Sequence, residues 1–166
     1  MSSYTMNRKL GKKSIFVLIF LIFITLFVGS VWTPFSDPNS TWFEYLEKPV
    51  FNPPSWMFGP VWTILYILMG VSIFKIYNST LKDSIKYKIY VLYTLQLLLN
   101  SLWTPTFFLF QQIGLALVVI SLLWIILIII LFLYYQHNKV SFYLWIPNVL
   151  WVSFAAILNL GFFILN

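Results

Sequence analysis

Three stretches of the chain space chemically useful side chains at helical intervals. Tyr93, Gln96, Asn100, Trp103 and Phe107 recur every three or four residues, so a helix through them would gather them on one face. Asn148, Trp151, Ala155 and Asn159 repeat the idea near the end, and Trp62, Tyr66 and Gly70 carry its aromatic half. Amides donate and accept hydrogen bonds without titrating, while indole and phenol rings offer flat apolar faces with a polar tip. Such a set suits holding a molecule rather than moving a proton. Two uses are open for it. The amides can tie helices together by hydrogen bonds, or they can be the polar anchors of an aromatic-walled small-molecule pocket. A bundle can do both.

Other chemistries lack their residues. The chain has no cysteine, which excludes disulfides, thiolate nucleophiles and cysteine-bound zinc or iron–sulfur centres. His137 is the single histidine and has no second ligand near it in sequence, so it reads as a solvated loop residue and no metal site is expected. No Ser/His/Asp set and no phosphate-binding P-loop appears.

The elements that must position these residues follow from hydropathy. Of 166 residues, 61% are hydrophobic and 8% charged, against about 25% charged in a soluble domain. Mean hydropathy is +0.89. A soluble fold of this length could not bury so much apolar surface, so lipid must be the solvent for most of it. Five apolar segments are long enough to cross a bilayer as helices: Ile15–Val31, Pro60–Tyr77, Ile89–Phe110, Ile113–Tyr135 and Ser141–Leu165. The expected fold is an all-α membrane protein, a five-transmembrane-helix bundle forming one domain over residues 14–166. A basic tail precedes it over residues 1–13.

Charge sets the expected orientation. Arg8, Lys9, Lys12 and Lys13 precede the first span, Lys75, Lys82, Lys86 and Lys88 flank the second connection, and Lys139 lies in the fourth. Nine of ten basic residues thus share one side, which the positive-inside rule makes cytoplasmic. The N-terminus is expected inside and the C-terminus outside. The same distribution explains the net charge of +6 without nucleic acid. The first span starts basic, and Val28-Gly29-Ser30 resembles a weak cleavage site. Its apolar run exceeds the roughly 7–15 residues of a signal peptide, so a retained span is expected. Within that span Thr25 and Gly29 form a small-xxx-small pair, usable for a dimer or for packing inside the monomer.

One connection differs in kind. Residues 32–59 hold "EKPVFNPPSWMFG", whose prolines stiffen the backbone and oppose a helix. Pro60 suits the first turn of the second span, with Trp62 just inside it. By the topology above, this stretch lies outside the cell over the converging aromatic faces and would act as a pre-ordered lid. Lys48, the lone cation on that side, is either a lid ion-pair residue or a contact for an acidic ligand. Trp32, Trp42 and Trp56 are expected as interfacial anchors.

Several long motifs are similar to those of the TspO/MBR family, the tryptophan-rich sensory proteins related to the mitochondrial translocator protein. "TWFEYLEKPVFNPP" resembles the family's first-loop motif and "FGPVWTILYILMGVS" its second helix. "YTLQLLLNSLWTPTFF" resembles its third helix and "IPNVLWVSFAAILN" its fifth, the match running from about Gly29 to Asn166. Three positions depart from the pattern: Phe51 stands where Trp usually precedes Pro-Pro, Phe43 where Tyr is common, and Asn148 where Tyr commonly follows Pro147. No basic residue follows Lys139, so the vertebrate cholesterol motif is not carried over. Val71, Tyr77 and Lys82 fit a loose version of it.

The resemblance implies a homodimer in a bacterial plasma membrane, each bundle holding a pocket for porphyrins and drug-like hydrophobic ligands, with no cofactor required. It implies that Trp62, Tyr66, Asn100, Trp103, Trp151 and Ala155 line the pocket, with Phe43, Pro49, Phe51, Pro53 and Pro54 closing it from above. Sensing, handling or transport of a tetrapyrrole is the expected function. One alternative is an enzyme that degrades porphyrin in light and oxygen through Trp62 and Trp151. The other is a structural or interaction protein without a ligand.

Overall fold

The computed structural model describes residues 12–36 and 40–166, among which the only regular secondary structure is helical, with no strand. Six α-helices follow in order: α1 (Lys12–Ser30), α2 (Thr41–Tyr45), α3 (Phe58–Tyr77), α4 (Asp83–Thr104), α5 (Ile113–His137) and α6 (Lys139–Leu165). Where lipid is the solvent, helices satisfy their backbone groups within one segment; Pro147 inside α6 removes one N–H and frees the Tyr143 carbonyl, a loss that membrane helices tolerate through local adjustment and neighbouring groups. Most of the basic tail expected over residues 1–13, including Arg8 and Lys9, lies outside the described residues.

Among the described residues, four segments are long and apolar enough to cross a membrane: Lys12–Phe35, Ser55–Tyr77, Ile113–His137 and Lys139–Leu165. Their outward side chains are oily, Phe16, Phe23, Ile64, Phe132 and Leu150 among them. Patches of that extent call for a lipid or protein cover. α4 is the exception. It begins at Asp83, upstream of the expected Ile89, because a carboxylate in the first turn complements the positive end of the helix. Lys86 and Lys88 make this early part polar.

α4 ends in a π-helical turn, Pro105–Leu109, in which the Phe110 N–H donates to the Pro105 carbonyl at 2.8 Å. Proline has no N–H to give the preceding turn, which favours a change of winding here. Gln111 then adopts φ 56°, the left-handed step that reverses the chain into α5. α5 and α6 are joined by Asn138 alone, whose Oδ1 accepts from the Ser141 N–H at 3.0 Å and caps α6. His137 therefore stands in the last turn of α5, half-buried, and not in a solvated loop as its sequence context suggested.

The long helices close a ring: α1 on α3, α3 on α6, α6 on α5, α5 on α4, and α4 back on α1. Gly70 sets the α1–α3 approach, since a Cβ there would lie 2.7 Å from Ile22 Cα. Polar ties cross the seams. Thr25 Oγ1 and the Tyr93 hydroxyl meet at 2.8 Å, and Ser141 Oγ donates to the Ser72 carbonyl at 2.9 Å. Trp145 Nε1 donates to the Leu127 carbonyl at 3.2 Å. Thr25 is fully buried and Gly29 lies under the Tyr66 ring, so both small residues of α1 are used within the chain.

Candidate ligand-binding cavity

The segment between α1 and α3 has more structure than its prolines suggest. Ser40 caps α2, its Oγ accepting from the Phe43 N–H at 3.4 Å. That turn drives Phe43 inward among Phe107, Phe108 and Phe162, with ring centroids 5.6–6.4 Å away. Glu47 is then held by Asn166 at the end of α6, through bonds of 2.9 and 3.0 Å to its backbone N–H and carbonyl. Pro49 is buried against Gly161, where a Cβ would meet its ring at 2.6 Å. A 3₁₀ turn, Ser55–Met57, leads into α3. The prolines keep helix out of residues 46–54, as expected, and the two short turns stand on either side of that stretch.

Beneath this segment lies a cavity of about 500 Å³. Trp62 and Tyr66 stack at 5.4 Å on one wall and Trp103 and Phe107 at 5.2 Å on another, both with interplanar angles of 23°. Asn100, Ala155 and Asn159 complete the inner end, while Leu26, Gly29 and Ser30 of α1 close the side. Among the described lining residues there is no Asp, Glu, His, Lys or Arg. The described residues also hold no cluster of metal-ligating side chains. The space can stack a flat apolar body and bond it at a few points. It offers no acid–base pair.

Seven of the eleven residues singled out in the sequence line this cavity: Phe43, Pro53, Trp62, Tyr66, Asn100, Trp103 and Ala155. Four do not. Trp151 packs edge-on against Phe58 at 5.8 Å and beside Phe154 at 5.5 Å, so Phe58 takes the wall position expected of it. Phe51 turns outward, half-exposed, and meets Phe154 at 6.4 Å. Pro49 is spent on the Gly161 seat and Pro54 faces outward. Residues absent from that set include Phe58, Phe108 and the α1 group. Only the small-residue spacing ending at Gly29 hinted at α1, by marking a close approach.

The amides divide between the two uses left open. Asn159 is a tie: its Oδ1 accepts from Trp103 Nε1 at 2.9 Å and its Nδ2 donates to the Ile113 carbonyl at 3.2 Å. Asn100 is only half engaged. The Tyr66 hydroxyl lies 2.9 Å from Asn100 Oδ1 and 3.1 Å from the Gly29 carbonyl, and its single proton serves one of them at a time. Asn100 Nδ2 is buried and has no partner among the described residues. If Tyr66 donates to Gly29, the amide can turn over and give its N–H to the phenol oxygen. Asn100, on the cavity wall, can thus leave either a donor or an acceptor unpaired.

Lys48 is exposed and lies over the Phe43 ring, 4.9 Å from its centroid. Trp42 packs on Phe107 at 5.7 Å, so it is part of the aromatic cluster as well as half-exposed.

Residues 13–165 match the profile of the TspO/MBR family. The chain belongs to that family. It is 39% identical over 140 residues to the "Tryptophan-rich protein TspO" of Chlorobaculum tepidum, covering 84% of this chain and 87% of that one. It is 38% identical over 141 residues to the protein of the same name from Archaeoglobus fulgidus, covering 84% and 88%. The human "Translocator protein" is 34% identical over 134 residues, covering 80% and 78%. With its membrane-length helices, this TspO/MBR chain is an integral membrane protein.

Proposed function

We propose that this TspO/MBR protein binds a porphyrin or similar flat hydrophobic molecule in the cavity beneath the α1–α3 segment, for sensing, handling or transport. The observation that carries the reading is the cavity itself. At about 500 Å³ it lies within the roughly 300–1,000 Å³ usual for small-molecule sites, and its walls are stacked aromatic pairs. Trp62 and Trp103 would stack on the macrocycle, and Asn100 would bond a ring or substituent atom. Phe43 and Pro53 would cover it. No resident cofactor is needed.

The same reading takes α4 as a fifth span, with the basic ends of the helices in the cytoplasm, the C-terminus outside, and a bacterial plasma membrane as the setting. Residues 14–166 act as one domain behind a basic tail, and the protein is a homodimer. Lys48 over Phe43 supports a lid whose lone cation is held by an aromatic face.

Titration of protoporphyrin into the full chain in lipid nanodiscs tests the proposal. Binding is expected to shift the porphyrin absorbance and quench tryptophan emission, both weakened in Trp62→Ala. Unchanged spectra would remove the reading. The light-driven enzyme alternative would keep Trp62 but not Trp151 against the ligand.

A further inference from the structure

Four side chains outside the cavity carry buried polar atoms with no partner among the described residues, Gln96, Tyr134, Asn148 and Trp151, and two of them are amides with both atoms unpaired. Gln96 on α4 and Asn148 on α6 are fully buried. Among the described residues, neither the oxygen nor the nitrogen of either amide has a hydrogen-bond partner. By contrast, Asn159 uses both its amide atoms and Asn100 uses its oxygen.

Their positions converge. α4 and α6 scarcely touch backbone to backbone and meet across the bundle through long side chains. Tyr93 and Trp145 meet at 6.0 Å between ring centroids, and Trp103 bonds Asn159 at 2.9 Å. Gln96 is one turn along α4 from Tyr93 towards Trp103, and Asn148 is one turn along α6 from Trp145 towards Asn159. Both amides therefore occupy the tier between those two contacts. The next tier up is Asn100, on the cavity wall, with its own unpaired Nδ2. In the tier below, the Tyr93 hydroxyl meets Thr25 and the Trp145 N–H meets Leu127, while the buried Tyr134 hydroxyl beside Trp145 has no partner among the described residues.

Each carboxamide presents one carbonyl oxygen and two N–H bonds. Leaving such groups unpaired in a bundle surrounded by lipid is unfavourable. No Asp, Glu, Lys, Arg or His lies on α4 after Lys88 or on α6 after Lys139, so nothing on either helix would neutralise an ion there. The group that fits is uncharged and both donates and accepts.

We infer that Gln96 and Asn148 form a second, deeper polar site for an uncharged hydrogen-bonding group, reached from the cavity past Asn100. Two sources share that chemistry: water molecules, and the carboxamide of an apolar ligand lying in the cavity. Neither depends on the tetrapyrrole reading, and neither is probed with porphyrin.

The test uses the full chain in nanodiscs with ¹⁵N-labelled glutamine and asparagine. Cross-peaks from the Gln96 and Asn148 NH₂ protons to long-lived water are expected if water is the occupant. Titration with hexanamide, beside heptan-2-one of the same shape without the donors, reads the second source. Hexanamide alone should then shift both NH₂ signals. Its affinity should fall about tenfold in Gln96→Met/Asn148→Leu, as expected for two neutral hydrogen bonds lost. Cross-peaks between the two side chains themselves, with no water contact and no response to hexanamide, would make them a direct structural pair and overturn the site. If the double variant does not fold, the wild-type spectra decide the matter alone.

Discussion

Asn166 holds Glu47 by both ends of its carboxamide, Oδ1 accepting from the backbone N–H at 2.9 Å and Nδ2 donating to the carbonyl at 3.0 Å. The end of α6 is thereby fastened to the segment that covers the cavity. Asn166→Ala should release it. Amide exchange at residues 46–50 is expected to quicken, while global stability falls by only about 1 kcal/mol because the bonds are exposed and neutral. Unchanged exchange there would show that the Pro49–Gly161 seat suffices.

Gly29 underlies Tyr66, and a Cβ at that position would land on the phenol ring. Gly29→Ala should push the ring away from Asn100 and destabilise the fold by about 1–3 kcal/mol, the range for overpacked sites. Thermal unfolding in nanodiscs measures the first effect. A loss of selectivity between donor-bearing and acceptor-bearing ligands measures the second.

Trp62 and Trp151 should separate cleanly. Trp62 stands on the cavity wall, so Trp62→Ala should weaken porphyrin binding tenfold or more with little change in unfolding temperature. Trp151 packs behind Phe58 and beside Phe154 and is half-buried, so Trp151→Ala should cost about 3 kcal/mol of stability, the low end for a buried aromatic. Binding per folded molecule should hardly change. Equal binding losses in both would mean that the ligand reaches past Phe58.

Asn159 joins three helices through Trp103 on α4 and the Ile113 carbonyl on α5. Asn159→Leu keeps the volume but strands the indole N–H, and a loss of about 1–3 kcal/mol is expected. Trp103→Phe in the same background should recover part of it, since the stranded donor is then gone. Additive losses in the double variant would refute the coupling.

Much of the architecture was legible because lipid-solvated helices announce themselves by length and oiliness. The aromatic-amide faces of α3 and α4 were legible from spacing, which brought Trp62, Tyr66, Asn100 and Trp103 to one space. The α6 face was misread at one residue for a geometric reason. At about 100° per residue, Asn148, Ala155 and Asn159 stay within about 20° of one line, whereas Trp151 falls about 60° to one side. Period alone does not say which edge of a stripe a neighbouring helix covers, and here Phe58 covers it. The seat of Pro49 was hidden for a related reason: it depends on a glycine more than a hundred residues away.

The π turn at Pro105–Leu109 bears on how this sequence can change. Sequence neighbours on a regular α-helix point about 100° apart, and a wider winding reduces that step. Phe107 and Phe108, consecutive residues 5.0 Å apart, both border the cavity. The turn behaves as though one residue had been inserted into an α-helix. Point substitutions at either phenylalanine alter one wall position, but removing a single residue between Pro105 and Leu109 would rewind the turn and rotate one ring towards lipid. Variation in relatives should therefore tolerate exchange in this turn and resist any change in its length.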